Sequence, residues 1–321
     1  IMLPERGADM GAEKTKRKFR EGMLYLVTEF LSSKVMVEAL LPVMKKWIAG
    51  PKIKDAIEAV RKLNAEGRNR IGLINFLGEH YKKKEQVNAM LDEYLSALDK
   101  IKRSGIRTTI SIKPTQAGMD ISEEYCYETT RKIVARAKES GIFVWVDMEG
   151  SKYTTGTLAL YSALAREFDN VGTVLQANLK RTKNDLRTLL KENPDAKIRL
   201  CKGAYKEGAD IAFQTKKEVD KNFGELIEIA FYWANNVILA SHDDKLIEMA
   251  RELKDEYWPR RYLEVQFLKG IREKYRRELS AEGVNVAVYV PYGPESVQYC
   301  FRRFVKGKNT AAMIVRSILY S

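Results

Sequence analysis

From residue 69 onward, short apolar runs alternate with amphipathic helical stretches, and this alternation limits the possible folds more than any other feature of the chain. The helical stretches cover 84–103, 122–139, 155–167, 183–191, 216–234, 245–253 and 271–279. The apolar runs cover 70–78, 108–114, 142–149, 171–178, 197–205, 236–243, 262–270 and 284–293. About eight strands separated by helices predict an α/β protein with a (β/α)8 barrel. A doubly wound sheet is the alternative.

The segment before this alternation has a different pattern. Apolar residues recur at helical spacing between residues 14 and 68, and Pro42 and Pro51 interrupt the helices. No low-complexity linker follows. We therefore expect an N-terminal helical segment at 1–68 and a catalytic barrel at 69–321.

Composition excludes several classes of function. Three cysteines without CxxC spacing argue against a disulfide framework or a zinc site, and two histidines, His80 and His242, exclude a multi-histidine metal centre. We expect no metal and a reducing, cytoplasmic location. The sequence contains no run of 18 apolar residues, so we expect no membrane-spanning helix.

The net charge of +13 favours acidic partners. Nucleic-acid binding is the alternative to an enzyme, but the lysines and arginines are interleaved with glutamates, so we expect no nucleic acid as partner. The helical pattern at 14–48 suits either peripheral docking on the cytoplasmic membrane face or capping of the barrel. Monomer and oligomer both remain open.

Polar residues follow or end nearly every apolar run. In barrel enzymes the catalytic groups lie at the C-terminal ends of the strands, so these residues predict a polar pocket there. They are Glu79, Lys113, Asp147, Glu149, Gln176, Arg199, Lys202, His242, Gln266 and Tyr289. Lys113, Arg302 and Tyr289 are the candidate partners of the Asp147 carboxylate, because a buried carboxylate needs a cation or a hydroxyl.

The last apolar run leads through a turn into a helix at 294–304 that carries adjacent arginines. Tyr299, Arg302 and Arg303 share one face of that helix, at spacings of three and four residues. Guanidinium groups bind carboxylates through two parallel hydrogen bonds. We expect this helix to cover the barrel mouth and to clamp a small anion.

The run at 197–205 places two cations, Arg199 and Lys202, beside Gly203 and Ala204. Small residues allow the backbone to approach a ligand, and the cations suit a pyrophosphate or an electron-rich ring. No GxGxxG motif or P-loop follows any strand. A nucleotide cofactor would therefore not bind as it does in a Rossmann fold.

The chain carries an ordered series of motifs. They are FLGE (76–79), SIKPTQAG (111–118), VDMEGSKY (146–153), Gln176 of VLQA, RLCKGAY (199–205), SHD (241–243), EVQFLKGI (264–271), VYVPYG (288–293) and YCFRR (299–303). In this order, the motifs resemble those of the proline dehydrogenase family, flavoenzymes with a distorted (β/α)8 barrel. The resemblance covers roughly residues 70–315.

This resemblance implies roles for individual residues. Lys113, Arg302 and Arg303 would hold the carboxylate of proline. The residues lining the substrate would be Leu268, Tyr289 and Tyr299, with Asp147 organising the site. Arg199 would lie near N5 of flavin adenine dinucleotide (FAD), and the other FAD contacts would be Met148, Gln176, Lys202, Gly203, Ala204, Ser241 and His242. Glu79 would act as a gate by pairing with an active-site arginine.

The implied reaction is hydride transfer from C5 of L-proline to N5 of FAD, which gives Δ1-pyrroline-5-carboxylate, with the electrons passing to a quinone or another acceptor. The sequence departs from the family at Lys306, where an acidic residue is common. Weak activity or activity on hydroxyproline is therefore an alternative. A second alternative is a Schiff-base aldolase that uses Lys113 or Lys202.

Overall fold

Eight parallel strands close into a barrel in the order of the chain, which confirms the predicted fold and excludes the doubly wound sheet. The structure is a computed structural model and describes residues 45–296. The strands are β1 (Arg70–Phe76), β2 (Thr108–Ile112), β3 (Val144–Val146), β4 (Val171–Gln176), β5 (Ile198–Cys201), β6 (Asn236–Ala240), β7 (Tyr262–Leu268) and β8 (Asn285–Tyr292).

Helices connect the consecutive strands, and one more precedes β1. They are α1 (Ile53–Ala65), α2 (Lys84–Ser104), α3 (Glu123–Glu139), α4 (Thr154–Glu167, after a 3-10 turn at Ser151–Tyr153), α5 (Thr182–Glu192), α6 (Lys216–Trp233), α7 (Asp244–Tyr257) and α8 (Glu273–Ala281). Between residues 45 and 296, none of the helices has the length and apolar character needed to cross a bilayer.

Local sequence signals explain where the helices begin and end. The Thr215 side chain accepts a hydrogen bond from the backbone of Glu218, whose carboxylate accepts one in return from the Thr215 backbone, so a capping box starts α6. At the other end of a helix, Gly105 follows α2 in the left-handed conformation, with φ at 66°. Glycine adopts this conformation without a steric penalty, so it ends the helix cleanly.

Helix α1 closes the outer ring between β8 and β1. Its buried face, which includes Ile53, Ala56, Val60 and Leu63, packs on these two strands. In a regular barrel, this position of the outer ring belongs to the helix after β8. The sequence pattern assigned α1 to the N-terminal segment instead. The domain boundary at 68/69 stays a prediction.

The side chains inside the barrel form an apolar layer below the C-terminal ends of the strands. Leu73, Trp145 and Ile238 meet there, and the partly buried Phe143 and Tyr289 pack against them. This layer supports the polar groups above it, because closely packed side chains hold their neighbours in single rotamers.

We expect Gly72→Ala to lower the free energy of unfolding by about 1–3 kcal/mol, as overpacking of a core does. A Cβ atom at Gly72 would lie 2.4 Å from Val60 Cγ2 and 2.8 Å from the Thr108 hydroxyl, so α1 would have to move off β1. Chemical denaturation measures the difference.

The matched control is Gly224→Ala in α6, where the added Cβ meets only the Met249 side chain at 3.5 Å, an ordinary contact. This variant should gain up to about 1 kcal/mol from helix propensity. Equal effects of the two substitutions would contradict the close docking of α1.

Candidate active site

A buried ion pair joins strands on two sides of the barrel mouth. Asp147 directly follows β3, and the Nη2 group of Arg199 in β5 donates to its Oδ1. The two side chains are 11% and 7% exposed. Tyr289 of β8 donates its hydroxyl to the other carboxylate oxygen at 3.3 Å. Of the predicted partners of Asp147, the structure confirms Tyr289 and adds Arg199. Lys113 pairs with Glu79 instead, and Arg302 lies outside the described residues.

The Arg199 guanidinium has two further contacts inside the barrel. Its Nη1 group donates to Gln266 Oε1 in β7 at 3.1 Å, and its Cζ atom lies over the Trp145 ring, 5.2 Å from the ring centroid. A guanidinium held by a carboxylate, an amide and an aromatic face has a single orientation. The cation is therefore fixed beside Asp147, which follows β3 at the C-terminal end of the barrel.

A second ion pair lies nearby at the exits of β1 and β2. Lys113 Nζ donates to Glu79 Oε2 at 2.7 Å, and the lysine side chain is 17% exposed. Burial alone would lower the pKa of Lys113, but the Glu79 carboxylate raises it above the ordinary lysine value. The ammonium is therefore charged at every physiological pH and suits an anion, whereas a Schiff-base nucleophile needs a depressed pKa.

The predicted gate residue thus pairs with a lysine within residues 45–296. The resemblance implied an arginine as partner of Glu79, and Arg302, Arg303 and Tyr299 lie outside the described residues, as does Lys306. The clamp and the arginine partner of the gate stay predictions.

Glu149 connects the two loops that carry this pair. Its buried carboxylate accepts hydrogen bonds from the Thr115 backbone at 2.8 Å and from the Thr115 hydroxyl at 2.7 Å. The same hydroxyl accepts a bond from the backbone of His80, next to Glu79. Burial raises the pKa of Glu149, and the bonds from Thr115 partly offset this effect. Glu149 therefore fixes the β1 exit relative to the β2 exit.

The exit of β5 has the predicted small residues but a different charge balance. Gly203 has φ at 100°, and a Cβ there would lie 2.1 Å from Asn178 Oδ1, so only glycine fits. Lys202 Nζ donates to Asp220 at 2.5 Å and to Asp243 at 2.6 Å. Its charge is already neutralised, and its contact with a cofactor stays a prediction.

The structure brings the other predicted residues to the same end of the barrel. Leu268 ends β7 and pairs in register with Tyr289 of β8. The remaining residues proposed as cofactor contacts end β4 or come within three residues of the ends of β3, β5 and β6, and they are Met148, Gln176, Ala204, Ser241 and His242. Arg199, Gln266 and Tyr289 lie within their strands rather than at the ends. The contacts of Arg199 with Gln266 and Trp145, and of Tyr289 with Asp147, place these side chains inside the barrel.

Two residues of this site were not given a role from sequence. Burial raises the pKa of the Tyr205 hydroxyl, and Lys113, Glu79 and Asp147 are among the charges that act on it. Its position at the end of the RLCKGAY motif was the available signal. Glu149 appeared only as one of many polar residues at strand ends, and no sequence pattern marks its bond to Thr115.

Comparisons with known sequences identify a family. The sequence profile of the family described as proline dehydrogenase matches residues 56–313. Proline dehydrogenase 1 of Bacillus subtilis (strain 168) is 34% identical over 276 residues, which are 86% of this chain and 90% of that protein. The proline dehydrogenase of Deinococcus radiodurans is 32% identical over 287 residues, with 86% and 89% covered.

Solved structures show the same fold. Proline utilization A (PutA) from Bdellovibrio bacteriovorus has a TM-score of 0.75 at 20% identity, over 86% of this chain. A mutant of PutA from Bradyrhizobium japonicum has a TM-score of 0.68 at 18% identity, over 86% of this chain. The match covers 33% and 32% of those longer chains, so it supports the barrel fold alone.

We expect Asp147→Ala to lower the free energy of unfolding by about 3–5 kcal/mol, because the Arg199 charge would stay buried without its counterion. Chemical denaturation measures this loss. The control is Glu58→Ala, which removes an exposed partner of Arg61 at 2.9 Å and should cost less than about 1 kcal/mol. Similar losses in both variants would contradict a buried, tightly coupled pair.

Proposed function

Because this chain belongs to the proline dehydrogenase family, we propose that it oxidises L-proline to Δ1-pyrroline-5-carboxylate with FAD as its flavin. The family is a flavoenzyme family that catalyses the first step of proline catabolism. The observation that carries the proposal is the buried Arg199–Asp147 pair beside the charged Lys113, at the end of the barrel where such enzymes place their chemistry.

The residues at the exits of β3 to β6 fit a flavin dinucleotide. Gly203 has no side chain at a backbone position that packs against Asn178, Gln176 contributes a buried amide, and Arg199 contributes a fixed cation. The residues that would hold FAD are these three with Met148, Lys202, Ala204, Ser241 and His242. When bound, the isoalloxazine ring accepts the hydride of the substrate.

Arg199 contributes electrostatic stabilisation. Asp147 and Gln266 orient its guanidinium before the reaction. The side chain therefore need not reorient when negative charge develops on a group bound beside it. Asp147 serves this cation and the Tyr289 hydroxyl at once, which connects the flavin side of the pocket to the substrate side. We propose Asp147 and Arg199 as the catalytic residues.

Lys113 would bind the substrate carboxylate together with Arg302 and Arg303. Its ammonium is charged and held by Glu79, so the substrate would take the place of the Glu79 carboxylate. Leu268 and Tyr289 would cover the apolar ring of proline, and Tyr299 would lie beside it. Fixing the carboxylate in this way would orient the substrate for the reaction.

The acceptor of the electrons is proposed to be a quinone or another small oxidant, with the protein in the cytoplasm or on the cytoplasmic membrane face. The net charge of +13 supports a membrane location, because anionic lipid surfaces attract basic proteins.

The absorbance spectrum tests this proposal. The purified protein should show a flavin band at about 450 nm, and anaerobic L-proline should bleach it. Hydroxyproline added in parallel distinguishes the two substrates. A protein that binds no flavin, or whose flavin is not reduced by either compound, would contradict the proposal.

We expect Lys113→Met and Arg303→Met each to raise the KM for proline by about 10- to 100-fold, the loss of one hydrogen bond to a charged group. Flavin absorbance should be retained. Steady-state kinetics measure the effect. Lys102→Met is the control, because this ammonium donates to Glu139 O at the opposite end of the barrel. An unchanged KM in the Lys113 variant would remove Lys113 from the substrate site.

A further inference from the structure

A carboxylate lies inside the barrel with no role in the function proposed above. Glu264 of β7 is 5% exposed. Its neighbours Val265 and Phe267 pack outward against α7 and α8, so Glu264 and Gln266 point inward. The Glu264 carboxylate accepts hydrogen bonds from Gln266 Nε2 and from the Tyr262 hydroxyl, each at 2.7 Å. It forms no salt bridge with any residue in the described part of the chain.

The fold does not require a charge at this position. Removing a carboxylate from water is costly, and two neutral donors compensate for it less well than a paired cation would. An apolar side chain would suit the packed interior beside Ile238, its register partner in β6, better. We therefore explain the charge of Glu264 by its effect on the side chains that it contacts.

The Gln266 amide links this carboxylate to the catalytic cation. A carboxylate only accepts hydrogen bonds and a guanidinium only donates them. A primary amide accepts through its oxygen and donates through its nitrogen. Because Glu264 takes the Nε2 group, Gln266 Oε1 must face Arg199, where it accepts the 3.1 Å bond. A neutral amide in place of Glu264 can donate as well as accept, so only the guanidinium itself would then fix the orientation of the Gln266 amide.

We propose that Glu264 is a positioning residue for the reaction. By fixing the Gln266 amide, it holds the Arg199 guanidinium in the orientation that also meets Asp147. This inference rests on the proposed function, in which Arg199 lies beside the flavin. Glu264 acts through two hydrogen bonds and touches neither substrate nor cofactor.

The test is a double-mutant cycle of Glu264→Gln and Gln266→Leu in the full-length holoenzyme. Glu264→Gln should lower kcat by about tenfold or more, as misplaced catalytic groups do, and leave the KM for proline unchanged. In the Gln266→Leu background the same change should have no further effect on kcat. Glu93→Gln is the matched control, because Glu93 also accepts a tyrosine hydroxyl, from Tyr292, outside the barrel.

A second measurement needs no flavin. In the flavin-free protein, the guanidinium protons of Arg199, followed by nitrogen NMR, should exchange faster with water in Glu264→Gln than in the wild type or in Glu93→Gln. This measurement separates the two proposals: a wild type that proline does not reduce contradicts the function, while the exchange rates still test Glu264.

Three results would overturn the inference. One is a wild-type kcat together with a wild-type exchange rate in Glu264→Gln. Another is an equal loss of kcat in both backgrounds, which would indicate a direct effect of charge. The third is a parallel change of kcat, KM and thermal stability, which would indicate a purely structural role.

Discussion

The ion pair of Arg199 and Asp147 is the interaction on which the rest of the site depends. Both side chains are nearly removed from water, so either charge alone would be strongly destabilising. The pair is tolerated because each member has further polar neighbours, Tyr289 for the carboxylate and Gln266 for the guanidinium. Strands β3, β5, β7 and β8 are thereby joined across the barrel, and a single displacement in this set would affect all of them.

The fold could be predicted because strands buried on both faces appear as apolar runs separated by helices. The ends of the runs were less certain. The run at 142–149 is longer than strand β3, Val144–Val146, since the residues after it leave the sheet to form the site. The docking of α1 could not be predicted either, because its partner β8 lies at the far end of the sequence and only Gly72 marks the close contact.

The residues of the site were easier to predict than their pairings. Lys113 and Asp147 stand out because buried strands rarely end in charged groups. Their partners, Glu79 and Arg199, depend on the register of strands across the barrel, which sequence spacing does not contain. Glu264 shows the same limit: its place within an apolar run is visible, but its bond to Gln266 appears only when side chains alternate on a folded strand.

Between residues 45 and 296, the cations at the barrel mouth are paired within the protein, and this pairing affects how strongly an anion can bind there. Lys113 is held by Glu79, and Lys202 by Asp220 and Asp243. An anion that binds either ammonium would compete with a carboxylate already paired to it, so the gain in electrostatic energy would be smaller than at an unpaired cation. Charge alone therefore gives little affinity. A ligand must add contacts that a protein carboxylate lacks, which favours an anion that also fills the apolar surface of Leu268 and Tyr289 over a simple ion.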